Sequence, residues 1–446
     1  MAQQLFITFI QSLEVFRQVF TTPGFNNMII ILIGWVLDPG AVTQTLVATS
    51  ISGKTHHEKF HRFFSRGTWD PDKLGRHMMS AILQLIPEEA PIRLAVDDTL
   101  APKKGPGVFG ISTHLDASRS TRSYRIFCFG HCWVVLAVLV KLPFSKSTWA
   151  LPILFRLYRN KKTCALDGFE YRKKTELARE MVDVVLSWHY ERTIELTGDS
   201  AYCNSTVTKG LHDSVVLFGD MRPDAVLTEM PKISRTTRRG RPPKRGRTLP
   251  KPKDVAKDDS RPWKTCQAYL YGALRTVYYK EIFAQWYRAC GIGLLHIIVV
   301  KVEQGSINLR VFFSTDPTMT VEQILEGYGR RWSIEVSFRN LKQLLGFADS
   351  SARLKPAVER TAPFVGIVYS FLIVWFTEHA FNTSFAKPPI RPWYNHKVGF
   401  SFEDVLRAAR RVLAPAGILD LLSQLGNLHE NQDPPRKPAR KGKRRT

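Results

Sequence analysis

Over residues 1–88, apolar side chains recur mostly at helical spacing and few runs alternate as strands do, so this stretch reads as a set of helices. The pattern changes at Ile92. Ile92-Arg-Leu-Ala-Val96 reads as a strand closed by Asp97-Asp98-Thr99, and Cys132–Leu142 as a buried strand. Phe169–Leu186 has the spacing of an amphipathic helix, and Arg192–Thr197 reads as a strand that runs into Gly198-Asp199. Cys203–Asp213 is predicted as a helix and Ser214–Gly219 as a further strand. Strands interleaved with helices predict an α/β layer fold. The next helix of the series is delayed until residues 327–342. The gap holds a basic loop, Arg235–Lys253, and strand-like runs at Gln267–Tyr279, Leu294–Val302 and Leu309–Ser314, which predict a mostly β insertion. Phe364–Phe376 follows as a buried core helix.

These changes divide the chain into a helical region over 1–88, an α/β core over 89–230, a β-rich insertion with its basic loop over 231–318, a return to the core over 319–385, and a helical C-terminal region with a basic tail over 386–446. The apolar runs Met28–Val36 and Trp133–Val140 are too short to span a bilayer, so no membrane association is expected. Six scattered cysteines without C-x-x-C spacing read as reduced packing residues of a cytoplasmic protein, and the N-terminus has no signal-peptide pattern.

Charge changes the picture. Lys and Arg number 64 against 39 for Asp and Glu, a formal net charge of +25, and such an excess favours a polyanionic partner, most commonly nucleic acid. Lys54–Arg66 mixes basic and aromatic residues, which suits either a DNA-contacting helix within 1–88 or a solvated surface helix. The segment Pro434–Thr446 carries seven basic residues and three prolines and is expected to be disordered and to hold DNA non-specifically. Arg239-Gly240-Arg241-Pro242 is an extended basic motif suited to a narrow minor groove or, equally, to phosphates alone.

Three acidic residues stand out by position. Asp97 and Asp199 each close an apolar strand, where ligands of α/β sheets collect, and Glu335 lies on a helix. On that helix Tyr328, Arg331, Glu335 and Lys342 fall within about 60° of one another, so one carboxylate is held among a phenol, a guanidinium and an ammonium. Arg339 falls near the same face. Carboxylates suit Mg²⁺, and a pair of such ions assists in-line displacement at phosphate, while Arg and Lys hold phosphates beside it. Asp97 and Asp98 cannot both face one site, because consecutive strand residues point to opposite sides, and the pattern leaves the choice between them open.

The spacing Y-(2)-R-(3)-E-(6)-K of Tyr328, Arg331, Glu335 and Lys342 resembles that of the DDE transposases of bacterial insertion sequences, in the type-four group. Asp97-Asp98-Thr99 matches the group's D-x-T, and Asp199-Ser200-Ala201-Tyr202 its D-x-[GA]-[YF]. The resemblance spans residues 50–380. It implies a ribonuclease H-like catalytic core carrying a β insertion behind an N-terminal helical DNA-binding domain. It also implies two Mg²⁺ ions (Mn²⁺ can substitute) held by Asp97, Asp199 and Glu335, with Asp97 preferred over Asp98. DNA phosphates are then expected at Tyr328, Arg331 and Lys342, with Arg339, Arg239 and Arg241 as further DNA contacts. The implied activity is cleavage at transposon ends and joining of the 3′ ends to target DNA, by a homodimer on double-stranded DNA in the bacterial cytoplasm, associated with the nucleoid.

Two other readings stay open. A DNA-binding derivative with an inactive core would keep the charge and lose the chemistry. His57-Glu58-x-x-His61 fits the H-E-x-x-H pattern of zinc hydrolases, but the surrounding Lys54, Lys59, Arg62 and Arg66 disfavour a bound cation.

Overall fold

The computed structural model describes residues 1–50, 56–105, 107–188, 190–231, 243–270, 273–301, 309–387, 392 and 399–414. Five helices come first: α1 (Ala2–Leu13), α2 (Thr22–Leu37), α3 (Val42–Ala48), α4 (Glu58–Ser65) and α5 (Pro71–Leu83). Strands β1 (Ile92–Pro102), β2 (Ser112–Leu115), β3 (Phe127–Lys141) and β4 (Thr148–Tyr158) follow, then α6 (Lys161–Asp167), α7 (Lys174–Ser187), β5 (Ile194–Gly198), α8 (Ser205–Thr208) and β6 (Val215–Met221). The insertion holds α9 (Pro252–Ala256), β7 (Lys264–Leu270), β8 (Ala273–Ala284), α10 (Tyr287–Cys290), β9 (Leu295–Lys301) and β10 (Leu309–Ser314). The chain then returns through α11 (Val321–Leu344), α12 (Lys355–Trp375) and α13 (Phe402–Leu413).

All ten strands join one mixed sheet in the order β2-β3-β1-β5-β6-β10-β9-β8-β7, with β4 also paired to β3. The sheet flanked by helices is the expected ribonuclease H-like arrangement. β1, β5 and β6 run parallel at its centre, and the strands of the insertion extend it antiparallel from β6. The β insertion is therefore a continuation of the core sheet. Nor do residues 1–88 keep a core to themselves: Phe9, Trp35 and Phe64 belong to the same hydrophobic cluster as Phe364 and Trp375 of α12.

Three predicted elements differ clearly from those observed, and one long observed strand was not predicted. β1 does not stop at Val96, because β3 pairs with it as far as Pro102. The predicted helix Cys203–Asp213 is cut to Ser205–Thr208, since Lys209 is already extended and Gly210 after it takes φ +64. The single strand expected at Gln267–Tyr279 is a hairpin, with Leu270 paired to Ala273. β4 has no counterpart in the pattern reading. It contains Pro152, which argues against a strand, and the ladder absorbs that proline with a register shift at Leu136/Ala137.

α11 starts with a capping box between Thr320 and Gln323, which fixes the first turn of the helix that carries Arg331 and Glu335. The helix packs closely on β6: a Cβ at Gly327 would lie 2.4 Å from the Phe218 ring. The continuous helical stretch Lys355–Ala380 is long and apolar enough to cross a membrane, yet 89% of its apolar window is buried inside the protein. It is the core helix that the pattern predicts.

Candidate active site

The central parallel ladder places three carboxylates at one level. Val96 of β1 pairs with Gly198 of β5, and Gly198 pairs with Gly219 of β6. β5 ends there, while β1 continues against β3 and β6 continues against β10. Asp97, Asp199 and Asp220 are each the residue just past this last shared rung. Ligands of open α/β sheets gather at such carboxyl ends of parallel strands.

α11 closes the site from one face. Arg331 donates from Nη1 to Asp97 at 2.9 Å and from Nη2 to Glu335 at 2.8 Å, so one guanidinium bridges a strand carboxylate and a helix carboxylate. Asp98 leaves the opposite face, where it accepts from Lys174 Nζ at 2.6 Å and the Tyr202 hydroxyl at 2.8 Å. Asp97, not Asp98, thus faces Glu335. Asp199 caps its own turn, accepting from the backbone N–H of Ala201 at 2.9 Å. Among the described residues, no three His, Cys, Asp or Glu side chains stand close enough to enclose a metal ion.

Burial and neighbouring charges shift Asp97, Asp220 and Arg331. The Asp97 carboxyl is pushed up to about 7, mainly by burial, with Arg331 opposing and Asp199 adding to the rise. Burial also raises Asp220, against Arg310, and Asp199 adds to it. Burial works against the Arg331 charge, but Tyr328, Asp97 and Glu335 outweigh it and raise its pKa. Its Nε is buried and has no hydrogen-bond partner among the described residues. That donor is suited to an anion.

Asp97, Asp199, Asp220 and Glu335 border this end of the sheet, and among the described residues they do not gather into a three-ligand cluster. Carboxylate oxygens are the ligands that Mg²⁺ and Mn²⁺ take.

Comparison with known proteins gives the family. The family model described as "DDE superfamily endonuclease" matches residues 15–283, more than half of the chain. The chain belongs to the DDE superfamily of endonucleases. The match spans Asp97 and Asp199. A second model, of the archaeal transposase ISC1217, matches residues 280–381 of this DDE-superfamily protein and so spans Glu335. Among solved structures, the chain is similar to the piggyBac transposase in its synaptic complex with hairpin DNA, solved by cryo-EM. That similarity has 12% identity and a TM-score of 0.39, covering 93% of this chain and 77% of the other. No curated protein matches. Membership of the superfamily implies DNA cleavage assisted by divalent metal in general terms.

The other predicted residues of this DDE protein are distributed unevenly. Tyr328 is buried, its ring 4.7 Å from that of Phe312, and its hydroxyl accepts from Arg310 at 3.4 Å. Lys342 sits two turns beyond Glu335; burial lowers its pKa, opposed by Asp116. Arg339 lies on α11 one turn beyond Glu335. It lines a cavity of about 510 Å³ with Lys141, Trp332 and Tyr369. Arg239 and Arg241 lie outside the described residues.

The zinc motif does not assemble. His57 and His61 stand with ring centroids 5.8 Å apart, but Glu58 is paired with Arg62 and no third ligand joins them among the described residues. Asp220 and Arg310 escaped the sequence reading. Asp220 did carry a signal: Leu217-Phe-Gly-Asp220 repeats the form of Leu196-Thr-Gly-Asp199. Arg310 carried none, because its place depends on β10 joining β6.

Proposed function

We propose that this chain is a transposase of the insertion-sequence type, in the group marked by the Tyr-Arg-Glu-Lys helix, which cuts DNA at the element's ends and joins the 3′ ends to target DNA. The observation that carries the proposal is Arg331, which binds Asp97 and Glu335 at once and so ties the strand motif to the helix motif.

In this reading Asp97, Asp199 and Glu335 hold two Mg²⁺ ions, or Mn²⁺ in their place. When bound, such ions make a water or 3′-hydroxyl a stronger nucleophile and steady the leaving oxygen. The protein's own part is electrostatic and positional. Arg331 ties the strand carboxylate to the helix carboxylate and opposes the rise in the Asp97 pKa that burial causes, and its guanidinium would orient a phosphate beside them. Lys342 offers an ammonium two turns along the same helix for the neighbouring phosphate, and Tyr328 supports Arg331 from below, its ring 5.4 Å from the guanidinium. Arg339, Arg239 and Arg241 contact DNA further out. Residues 1–88 and the basic tail hold the duplex, and two copies of the chain bring two ends together.

The test is incubation of the purified full chain with duplex DNA spanning the boundary between the gene's flanking repeat and its surroundings, in Mg²⁺. Nicking at the boundary is expected, and Asp199→Ala abolishes it. Persistent Mg²⁺-dependent nicking by the Asp199→Ala protein would overturn the site.

A further inference from the structure

We infer that Arg310 is a further phosphate-binding residue of this site and that Asp220 is the positioning residue that aims it. The inference rests on the transposase reading above and adds to it a second guanidinium, supplied by the last strand of the insertion.

The placement follows from strand register. In the antiparallel β10–β6 ladder, Phe312 pairs with Asp220. Arg310 is two residues before Phe312, so it projects from the same face of the sheet. That is the face covered by α11, because Tyr328 of α11 packs its ring on Phe312. Asp220 in turn stands beside Asp199, one residue past the rung Gly198↔Gly219. The pair of Arg310 and Asp220 therefore borders the carboxylates directly.

The contacts show what Asp220 does. It accepts from Arg310 Nη2 at 3.0 Å, and the same nitrogen reaches the Tyr328 hydroxyl at 3.4 Å. The Arg310 guanidinium lies 5.7 Å from the Phe312 ring centroid and 6.0 Å from that of Tyr328. One edge of the guanidinium is fixed by these groups. Its Nε and Nη1 make no hydrogen bond among the described residues, and the side chain is 46% exposed against 11% for Arg331.

Tyr328 is the hinge of the arrangement. It carries Arg310 and Arg331 at one ring, within 6.0 and 5.4 Å. Arg331 spends both terminal nitrogens on Asp97 and Glu335, whereas Arg310 spends only Nη2, so Arg310 keeps an exposed edge for an anion. A DNA phosphate is the anion that the proposed reaction brings. Arg331 is tied to the carboxylates at the cut; Arg310, more exposed and aimed from β10, suits the phosphate beside it on the same strand. Asp220 thus serves the DNA through Arg310, whereas Asp97 and Asp199 serve the cations.

The test compares the full-length protein with Arg310→Gln, Asp220→Asn and the double variant. Binding of a short fluorescent duplex from the element boundary is followed by anisotropy over a range of salt, with Ca²⁺ in place of Mg²⁺. Losing one phosphate contact lowers the slope of log K against log salt by about 1 in Arg310→Gln. Asp220→Asn weakens binding less, and in the Arg310→Gln background it has no further effect. In Mg²⁺, Arg310→Gln raises KM for the duplex more than it lowers kcat, and Arg310→Lys restores part of the loss. Melting temperatures report folding separately. An unchanged salt slope in a folded Arg310→Gln protein overturns the inference, as does additivity of the two substitutions. A wild-type protein that binds the duplex but never nicks it in Mg²⁺ overturns the transposase reading instead, and the salt slope still decides the role of Arg310.

Discussion

The side chains of Asp97 and Asp98 leave opposite faces of β1, and each is held by a different helix. Asp97 meets Arg331 of α11; Asp98 meets Lys174 of α7 together with Tyr202. Their substitutions should therefore separate activity from stability. Asp97→Asn removes nicking and costs little stability, because it takes away a carboxylate whose charge burial already opposes. Asp98→Asn leaves Lys174 without its ionic partner and lowers stability by about 1–2 kcal/mol, with nicking retained below the melting transition. Urea unfolding beside a nicking assay checks both, and equal loss of nicking in the two variants would count against Asp97 as the residue of the site. Asp199 is a different case. Its carboxylate caps a local turn, which is the commonest use of Asp after a strand, and only its neighbours across the sheet suggest more.

At the scale of elements, the site depends on how closely α11 lies on the sheet. Gly327 touches the Phe218 ring of β6, and any side chain there must displace one or the other. Gly327→Ala is expected to cost about 1–3 kcal/mol, the usual range for overpacking, despite the better helix propensity of alanine. It should also lift Arg331 away from Asp97, so nicking falls further than the loss of folded protein explains. Activity measured per folded molecule, from circular dichroism and nicking together, checks this; an active and stable Gly327→Ala protein would show that the helix can ride higher without harm. The capping box at Thr320 and Gln323 acts in the same direction, since it sets where the first turn begins and so where Arg331 and Glu335 end up along the groove.

At the scale of the molecule, charge and chemistry are separable. Removing residues 434–446 takes the formal net charge from +25 to +18 and leaves every residue of the carboxylate site in place. The truncated chain should bind duplex DNA more weakly and with a shallower dependence on salt, while nicking the same bond. Anisotropy titrations at several salt concentrations and mapping of the nick check the two halves of this expectation. A shifted nick would mean that the tail helps to choose the site.

What the sequence determined by itself was mostly local. The helix of Tyr328, Arg331, Glu335 and Lys342 is legible because one helix fixes the spacing of all four, and the helical N-terminal region, the α/β core and the buried helix after Glu335 follow from short-range periodicity. What only the tertiary structure decided depends on residues far apart in the chain. That Asp97 rather than Asp98 meets Arg331 depends on which face α11 covers. β4 was hidden by Pro152, which sits at a bulge in β4 itself, and the insertion joined the core sheet because β10 found β6. Asp220 and Arg310 became neighbours through that same pairing, across 90 residues of chain. Periodicity describes which way a side chain points along its own element, whereas register between strands is set by cross-strand packing, and that information is spread over the whole fold.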